Sequence, residues 1–559
     1  NFTGVISGAN GLIKNTTGTL TLGGANTYTG TTTVTNGTLA LAGSAAIADT
    51  GAVIVNAAAG PPATAGTLSV TAAETIGSLA GNGGSVVLGA ALTTGDATST
   101  SYAGVISGTG SLVKQGTGVF TLTGANTYSG GTTVNAGTLA GTAGPLQGAI
   151  LVNAAGTVRF DQAVDGNFTG ALSGAGIVNK EGAGVLTLSG NNSAHTGPLN
   201  VNAGVVSIGA ATNIGTGTVT LAGTTLRTTG AATLGNAFTL TGSGIFDAQA
   251  ATTLSGIISG GALTKIGSGT LTLSGANTYT GVTTINAGVL AVTGGAAIGD
   301  ANAVVVNALG GFTVSGAETI GSINGNGALV LNGAALTTGG ANANDTYAGI
   351  ISGTGSLVKQ GTGVFTLTGA NTYSGGTTVN AGTLAGAAGP LQGAILVNAA
   401  GTVRFDQAAA GTFTGALSGA GIVNKEGAGV LTLSGNNSAH TGAFNINGGT
   451  VSIGAATNIG TGTISLTGTT LQTTGALTLA NAITLNAPGG TMLTGGDTIL
   501  SGVISGTASL TKTGSASLTL AGANTYAGGT TVSAGTLIGT TTSLQGNIVN
   551  NAALVFNQA

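Results

Sequence analysis

The chain contains no cysteine and no tryptophan, and charged residues make up only 4% of its 559 positions. Aromatic residues contribute a further 3%. A chain of this length would ordinarily form three or four globular domains, but such domains need large apolar side chains inside and charges outside. This sequence is short of both, so a set of ordinary globules is excluded. The lack of cysteine fits the cytosol and also disulfide-free export, so it does not by itself locate the protein.

Low charge also excludes several partners. Ten lysines and arginines against thirteen acidic residues give a net charge of −3, which cannot neutralise a nucleic-acid backbone or attract anionic lipid. The sequence has no run of about 20 apolar residues, the length that a membrane-spanning helix requires. We therefore predict no nucleic-acid partner and no membrane insertion of this part of the protein.

Glycine is the abundant residue, with 109 positions, while proline has only 6. Disordered chains are rich in charge and proline, whereas this chain has a mean hydropathy of +0.47. The glycines follow no strict three-residue period, which excludes collagen. A patterned, β-rich chain remains.

One sequence motif recurs seven times along the chain. In five copies a lysine precedes the tyrosine of Asn-Thr-Tyr by 14 residues, and in two copies it precedes a histidine by 15. These lysines are all the lysines of the chain. The copies lie around Lys14 and Tyr28, Lys114 and Tyr128, Lys180 and His195, Lys265 and Tyr279, Lys359 and Tyr373, Lys425 and His440, and Lys512 and Tyr526.

A longer repeat of about 245–251 residues contains the short one. Tyr102 returns as Tyr347, and Tyr28 returns as Tyr279, the larger interval matching extra residues around Pro61 and Pro62. We predict one continuous solenoid over residues 1–559, with long copies at roughly 1–251 and 252–497 and a partial copy at 498–559. The last copy stops at Phe556-Asn557-Gln558-Ala559, partway through its motif, which favours a window of a longer periodic chain.

Within one short repeat, apolar and hydroxyl residues alternate, as in the stretch 19–22, which predicts a strand with one buried face. Residues 23–26 (Gly-Gly-Ala-Asn) then predict a corner, because glycine and asparagine tolerate positive φ. Two further strands are expected at 31–34 and 38–41, separated by an Asn36-Gly37 turn. Strands this short suit a β-solenoid, in which each pairs with its counterpart about 20 residues away. No segment shows helical spacing, so almost no helix is expected.

The phrase Lys-x-Gly-x-Gly-x-Leu/Phe-Thr-Leu-x-Gly-Ala-Asn-Thr-Tyr-x-Gly, clearest at 114–139, 265–290 and 359–384, resembles the passenger-associated transport repeat, also called the autotransporter-associated β-strand repeat. This resemblance implies a right-handed parallel β-helix in the passenger region of a bacterial autotransporter. It also implies an extracellular place on the outer cell surface.

Candidates for catalysis are few. Asp161 and Asp165 form the nearest acidic pair, and the second of them is replaced by Ala410 in the next long copy. Carboxylates for glycosidic chemistry would have to come from different coils. Arg159 and Asp161 share one face of a strand, which indicates a surface ion pair.

The remaining candidates favour structural roles. His195 and His440 are 245 residues apart, so they cannot ligate one metal together, and each is interpreted as a turn histidine with one ring nitrogen hydrogen-bonded. The lysine and tyrosine of each repeat are the candidates for a repeated binding site, although a lysine stem along apolar surface with its ammonium in water is the favoured interpretation. We predict no catalytic, cofactor-binding or metal-binding residues, and no enzyme.

Three functional hypotheses follow. The first is a structural or adhesive extracellular fibre or stalk that self-associates or contacts cell surfaces or matrix. The second is a polysaccharide-acting β-helix enzyme, which the missing acidic cluster disfavours. The third is a threonine-array binder of glycan or ice, which would need Thr-x-Thr pairs on every coil.

Overall fold

A computed structural model describes residues 1–57 and 65–558. Those residues form β-strands and two three-residue 3₁₀ turns, Ala211–Asn213 and Ala456–Asn458, so the prediction of an almost helix-free, all-β chain is confirmed. The chain divides into two units, Asn1–Gly281 and Val282–Ala559. The extra residues around Pro61 and Pro62 lie outside the described residues, and the single continuous solenoid stays a prediction.

In the first unit, strands β1 to β27 are, in chain order, Leu12–Leu22, Thr32–Leu41, Ala52–Val55, Thr67–Val70, Glu74–Ile76, Ser78–Ala80, Ser85–Leu88, Leu92–Thr94, Thr100–Tyr102, Val105–Gly108, Leu112–Lys114, Val119–Leu122, Thr132–Gly141, Ile150–Asp161, Gly166–Phe168, Leu172–Ser173, Ile177–Glu181, Val185–Leu188, Leu199–Val201, Val205–Ile208, Val219–Leu221, Thr225–Thr228, Ala232–Leu234, Phe238–Ala248, Thr252–Leu254, Ile258–Ile266 and Thr270–Leu273.

In the second unit, strands β28 to β56 are Thr283–Val292, Ala303–Val314, Glu318–Thr319, Ser322–Gly325, Ala328–Leu331, Ala335–Thr338, Asp345–Tyr347, Ile351–Gly353, Ser356–Lys359, Val364–Leu367, Thr377–Gly386, Ile395–Asp406, Gly411–Phe413, Leu417–Ser418, Ile422–Glu426, Val430–Leu433, Phe444–Ile446, Thr450–Ile453, Ile464–Thr473, Leu477–Leu479, Ile483–Thr494, Thr498–Leu500, Ile504–Gly506, Leu510–Thr513, Ser517–Leu520, Thr530–Val532, Thr536–Gly539, Ile548–Asn550 and Ala553–Phe556.

Within each unit the strands pair in parallel with the next coil, as the alternating pattern predicts. In the first unit Leu186 pairs with Val206, and Val206 pairs with Leu226, a step of 20 residues each time. All three side chains are at most 1% exposed. In the second unit Leu431, Val451 and Leu471 form the matching row. The core of each unit is therefore a stack of aliphatic rows, which confirms the predicted parallel β-solenoid.

The predicted turn at Asn36-Gly37 is instead a bulge inside a longer strand. Residues 32–41 form the single strand β2, and its pairing with β1 shifts register at Asn15, opposite Asn36. Gly37 has a φ of +65°, which glycine adopts without strain. A β-bulge bends a strand without ending it, so two predicted short strands become one.

The corner at residues 23–26 is glycine-rich for a different reason from the predicted one. Neither Gly23 nor Gly24 lies in the left-handed region. A Cβ on Gly24 would lie 2.1 Å from the carbonyl oxygen of Gly4 in the adjacent coil, and one on Gly124 would lie 2.0 Å from that of Gly104. The corners need glycine because neighbouring backbones touch there.

Candidate functional site

The repeat lysines occupy inward positions in the aliphatic rows. Lys180 pairs with Phe160 in one neighbouring coil and with Val201 in the other, both of which are fully buried. The Lys180 side chain is itself 0% exposed. The expectation that the ammonium reaches water is therefore wrong, because the alternation of the strand turns this residue into the core.

Each buried ammonium is bound by backbone carbonyls. The Lys180 Nζ donates to the carbonyls of Glu181 (3.0 Å), Gly182 (2.6 Å) and Ala203 (3.0 Å), the last of which lies in the next coil. Lys512 repeats this with Thr513, Gly514 and Ala534, at 2.9 Å each. The same three-carbonyl arrangement holds Lys114, Lys359 and Lys425.

These bonds make the lysine a brace between two coils. Burial lowers the pKa of Lys180 and Lys512, and it lowers that of Lys265 to about 8. Three charge-assisted hydrogen bonds replace the hydrogen bonds that the ammonium would make with water. A side chain this enclosed is not available to a ligand.

The repeat tyrosines are also buried. Tyr128 is 3% exposed, and its hydroxyl lies 2.6 Å from the Thr132 hydroxyl four residues later. Tyr28 and Tyr526 make the same contact with Thr32 and Thr530. Burial raises the pKa of Tyr128. Each tyrosine therefore fixes the corner where the next strand begins.

Sequence reasoning missed the asparagine of each repeat. The Asn126 Oδ1 accepts the Ile106 N–H in one adjacent coil (2.8 Å), and its Nδ2 donates to the Pro145 carbonyl in the other (2.9 Å). Equivalent pairs of bonds are made by Asn26, Asn192, Asn371, Asn437 and Asn524. Its presence in every copy, including the two histidine copies, was the available signal.

The two histidines replace tyrosine inside the corner. His195 is 2% exposed and His440 is 0% exposed. The His440 Nε2 lies 3.1 Å from the Gly421 carbonyl oxygen, as interpreted from the sequence, whereas neither ring nitrogen of His195 makes a hydrogen bond with the described residues, so the interpretation is wrong for His195. Burial lowers the pKa of both rings, so neither carries a charge at neutral pH.

The predicted ion pair forms, and a second kind of pair was missed. Arg159 binds Asp161 through two hydrogen bonds, of 2.7 and 3.0 Å, on a half-exposed face of β14. Arg227 instead binds Asp247 in the next coil, at 2.7 Å. The next long copy has Gln472 paired with Leu493 at the same step, so both charges are replaced together. The Asp165 carboxylate accepts the Val185 N–H at 2.9 Å and does not join that of Asp161.

Two buried glutamates cap loops of the preceding coil. The Glu74 carboxylate accepts the N–H groups of Ile47 (2.7 Å) and Ala46 (3.2 Å). Glu318 accepts the Ile298 N–H at 2.8 Å. Burial, opposed by these backbone bonds, raises the pKa of both carboxyls to about 7. No local pattern indicated this role, because the capped loop lies 20 or more residues away along the chain.

The outer surface carries hydroxyl and amide groups with few charges. Asparagines bind one another across coils, as Asn153 does with Asn135 and Asn398 with Asn380, both at 2.7 Å. No cluster of three or more potential metal ligands occurs among the described residues. In the same part of the chain, no helix has the length and apolar character needed to cross a membrane.

An exposed apolar residue precedes the inner isoleucine of each tyrosine-containing repeat. These residues are between 38% and 61% exposed: Val5, Val105, Ile257, Ile350 and Val503. Alanine takes their place in the two histidine copies, at Ala171 and Ala416. The tyrosine-containing repeats thus present an exposed apolar side chain at one recurring position, in addition to other exposed apolar residues such as Val164 and Leu309.

Comparisons with known proteins find a match for the repeats and a relative of the chain. The family model of the passenger-associated transport repeat matches seven segments: residues 12–41, 112–140, 178–208, 263–292, 357–385, 423–453 and 510–538. Each segment contains one of the seven lysines.

The chain is also 32% identical over 253 residues to the adhesin BmaC autotransporter of Brucella suis biovar 1 (strain 1330). The alignment covers 41% of this chain and 7% of that relative. No solved structure matches.

The buried lysines, tyrosines and asparagines explain the repeat, since the lysines and asparagines join one coil to the next and the tyrosines fix the corner within a coil. The chain carries seven copies of the passenger-associated transport repeat and is similar over part of its length to an adhesin autotransporter. These findings indicate an extracellular place on the bacterial outer surface.

Proposed function

We propose that the chain is a non-catalytic, adhesive stalk of the cell surface. The observation that carries this proposal is the 32% identity to a protein named as an adhesin autotransporter. Because the chain covers 7% of that relative, adhesion by this part of the sequence is a proposal. The stalk contributes length and a contact surface.

The contacts of the repeat residues support a structural role for them. Lysine, tyrosine and asparagine all make their bonds within the solenoid, leaving hydroxyls, amides and the recurring valines and isoleucines for outside contacts. A neutral surface of this kind favours many weak hydrogen bonds with a partner over electrostatic attraction.

The enzyme alternative has little support. Asp161 is bound by Arg159 and Asp165 by a backbone N–H, so neither carboxylate is placed as a free acid or base. The threonine-array alternative has no better support, since the row over β18, β20, β22 and β24 reads Thr187, Ser207, Arg227 and Asp247, of which Ser207 and Asp247 are buried.

Adhesion can be tested with beads coated with the purified chain and flowed over a monolayer of cultured epithelial cells. Beads coated with heat-unfolded chain are the control. We expect retention several-fold above that control, and equal retention would overturn the proposal. Release of reducing sugar ends from soluble polysaccharides by the purified chain would show catalysis instead.

Self-association is the second part of the partner prediction. It is tested by sedimentation equilibrium over a hundredfold range of concentration. A constant monomer mass throughout would reject it.

A further inference from the structure

A cavity of about 370 Å³ opens on the first unit, beside the turn that follows β20. Its wall comes from three consecutive coils: Ser193, residues 211–216 and residues 233–236. Binding sites for small molecules typically measure roughly 300–1,000 Å³. The cavity is therefore large enough for one small ligand.

The first wall is the 3₁₀ turn Ala211–Asn213, held in place by Asn213. The Asn213 Oδ1 accepts the N–H groups of Gly209 (3.1 Å) and Ala210 (2.8 Å), and its Nδ2 donates to the Gly190 carbonyl (2.9 Å). The Thr212 carbonyl in turn accepts the Asn192 N–H at 2.7 Å. These bonds fix the wall before any ligand arrives, which lowers the entropic cost of binding.

The opposite wall ends at Asn236, which is 5% exposed. Its Nδ2 donates to the carbonyls of Gly215 (3.2 Å) and Gly217 (2.7 Å) in the preceding coil. The Asn236 Oδ1 receives no hydrogen bond from the described residues. The oxygen is accessible to solvent, so it can accept a hydrogen bond from water or from a ligand in the cavity.

The chemistry of the wall restricts the ligand. None of the lining side chains carries a charge, and an ionic ligand enclosed here would have no counter-charge. The hydroxyls of Thr212 and Thr233 offer donors and acceptors, that of Ser193, which donates to the Asn191 Oδ1 (2.8 Å), offers an acceptor, and Ala211 offers apolar surface. A sugar ring has this same combination of hydroxyl groups at its rim and C–H groups on its faces.

We propose that this cavity binds one neutral pyranose ring, either a free monosaccharide or the terminal unit of a cell-surface glycan. The site would be one contact point of the adhesive surface, and in that sense it rests on the function proposed above. The lining has no aromatic residue for stacking, so a single ring binds weakly, with a dissociation constant on the order of millimolar.

The second unit supplies a natural comparison. Ala480 stands 245 residues after Gly235, in the same phrase of the long repeat. A Cβ built on Gly235 meets nothing closer than the Ser255 Oγ, at 3.9 Å. Gly235 lines the cavity and a side chain there meets no close atom, so we expect a larger residue at this position to narrow the cavity.

The test is saturation-transfer difference NMR of the full chain with D-glucose, D-galactose and N-acetyl-D-glucosamine at millimolar concentration. Glucuronate serves as the charged probe. Gly235→Leu fills the cavity, Thr233→Val removes one hydroxyl without changing its shape, and Ala480→Leu is the matched control in the second unit. Far-UV circular dichroism checks that each variant is folded.

We expect at least one neutral sugar to bind, with affinity at least tenfold weaker in Gly235→Leu and about threefold weaker in Thr233→Val. Ala480→Leu should leave binding unchanged. Absence of binding by all three neutral sugars, stronger binding of glucuronate, or an unchanged signal in Gly235→Leu would each overturn the site. The measurement uses no cells, so its failure is distinct from a failure of bead adhesion.

Discussion

A buried lysine without a carboxylate partner is costly unless backbone carbonyls replace water around the ammonium. In this chain each repeat places a lysine at an inward strand position, and the residues that follow Lys180 turn their carbonyls towards the Nζ. The carbonyls of two coils therefore explain how the lysine can be buried, and replacing the lysine tests this explanation.

Replacing Lys180 by methionine keeps the apolar stem and removes the three donated hydrogen bonds. We expect the free energy of local opening around β17 to fall by about 3 kcal/mol, because three carbonyls lose their partner. Native-state hydrogen exchange of the β17 and β19 amides measures this.

The matched control is Arg159→Met in the neighbouring coil, which removes a half-exposed cation. That change should cost about 0–1 kcal/mol, as surface ion pairs do. Equal effects of the two substitutions would contradict the bracing role of Lys180.

The buried glutamates predict a pH dependence with a definite sign. The folded-state pKa of Glu74 and Glu318 is raised from 4.5 to about 7, so folding favours the protonated carboxyls. Their contribution to stability is fully present below about pH 4.5 and is lost as the pH rises through about 7. Gln162 and Gln407 accept a backbone N–H in the same way without titrating.

The double variant Glu74→Gln/Glu318→Gln should remove this dependence. Thermal unfolding of the variant and of the native chain is measured from pH 4 to 8. We expect the variant to become progressively more stable than the native chain as the pH rises to about 7. The comparison cancels the histidines, whose lowered pKa values act in the opposite direction. A difference that does not change with pH would refute the assignment.

At the scale of the element, the close approach of glycine corners sets the distance between coils. A Cβ at Gly124 would lie 2.0 Å from the Gly104 carbonyl oxygen, whereas one at Gly144 would meet nothing within 4 Å. Neither residue needs the left-handed region. Substituting alanine at the two positions therefore tests the effect of contact with the adjacent coil without the effect of backbone strain.

Gly124→Ala should destabilise its unit by about 2–3 kcal/mol, because the adjacent backbone has to move apart. Gly144→Ala should change stability by no more than about 0.5 kcal/mol. Urea unfolding followed by circular dichroism gives both values. Similar midpoints for the two variants would mean that the corners tolerate separation of the coils.

At the scale of the whole molecule, the long repeat predicts modularity. Deleting residues 102–346 joins Ser101 to Tyr347, which begins the phrase that Tyr102 began, and β9 and β34 end on these two tyrosines. Because solenoid stability is a sum over neighbouring coils, folding should survive. If the predicted continuous solenoid holds, electron micrographs should show a particle shorter by about 60 Å, at ~4.8 Å per coil.

A deletion ending ten residues later, 102–356, is the control, because it brings together surfaces about half a coil out of phase. We expect it to lose cooperative unfolding. If the in-phase deletion unfolds as readily, the long repeat is not the structural module.

The sequence by itself determined the parallel β-solenoid, the spacing of its coils and the seven repeats. The alternation of apolar and polar residues and the recurrence of a motif can both be read along the chain without knowing which strands pair. It also located the Arg159–Asp161 pair, whose members are neighbours on one strand. Only the tertiary structure decided what the repeat residues do. Lys180, Asn126 and Glu74 bind backbone groups 19 to 28 residues away in other coils. Which groups meet depends on the register between coils, which no single stretch of sequence contains.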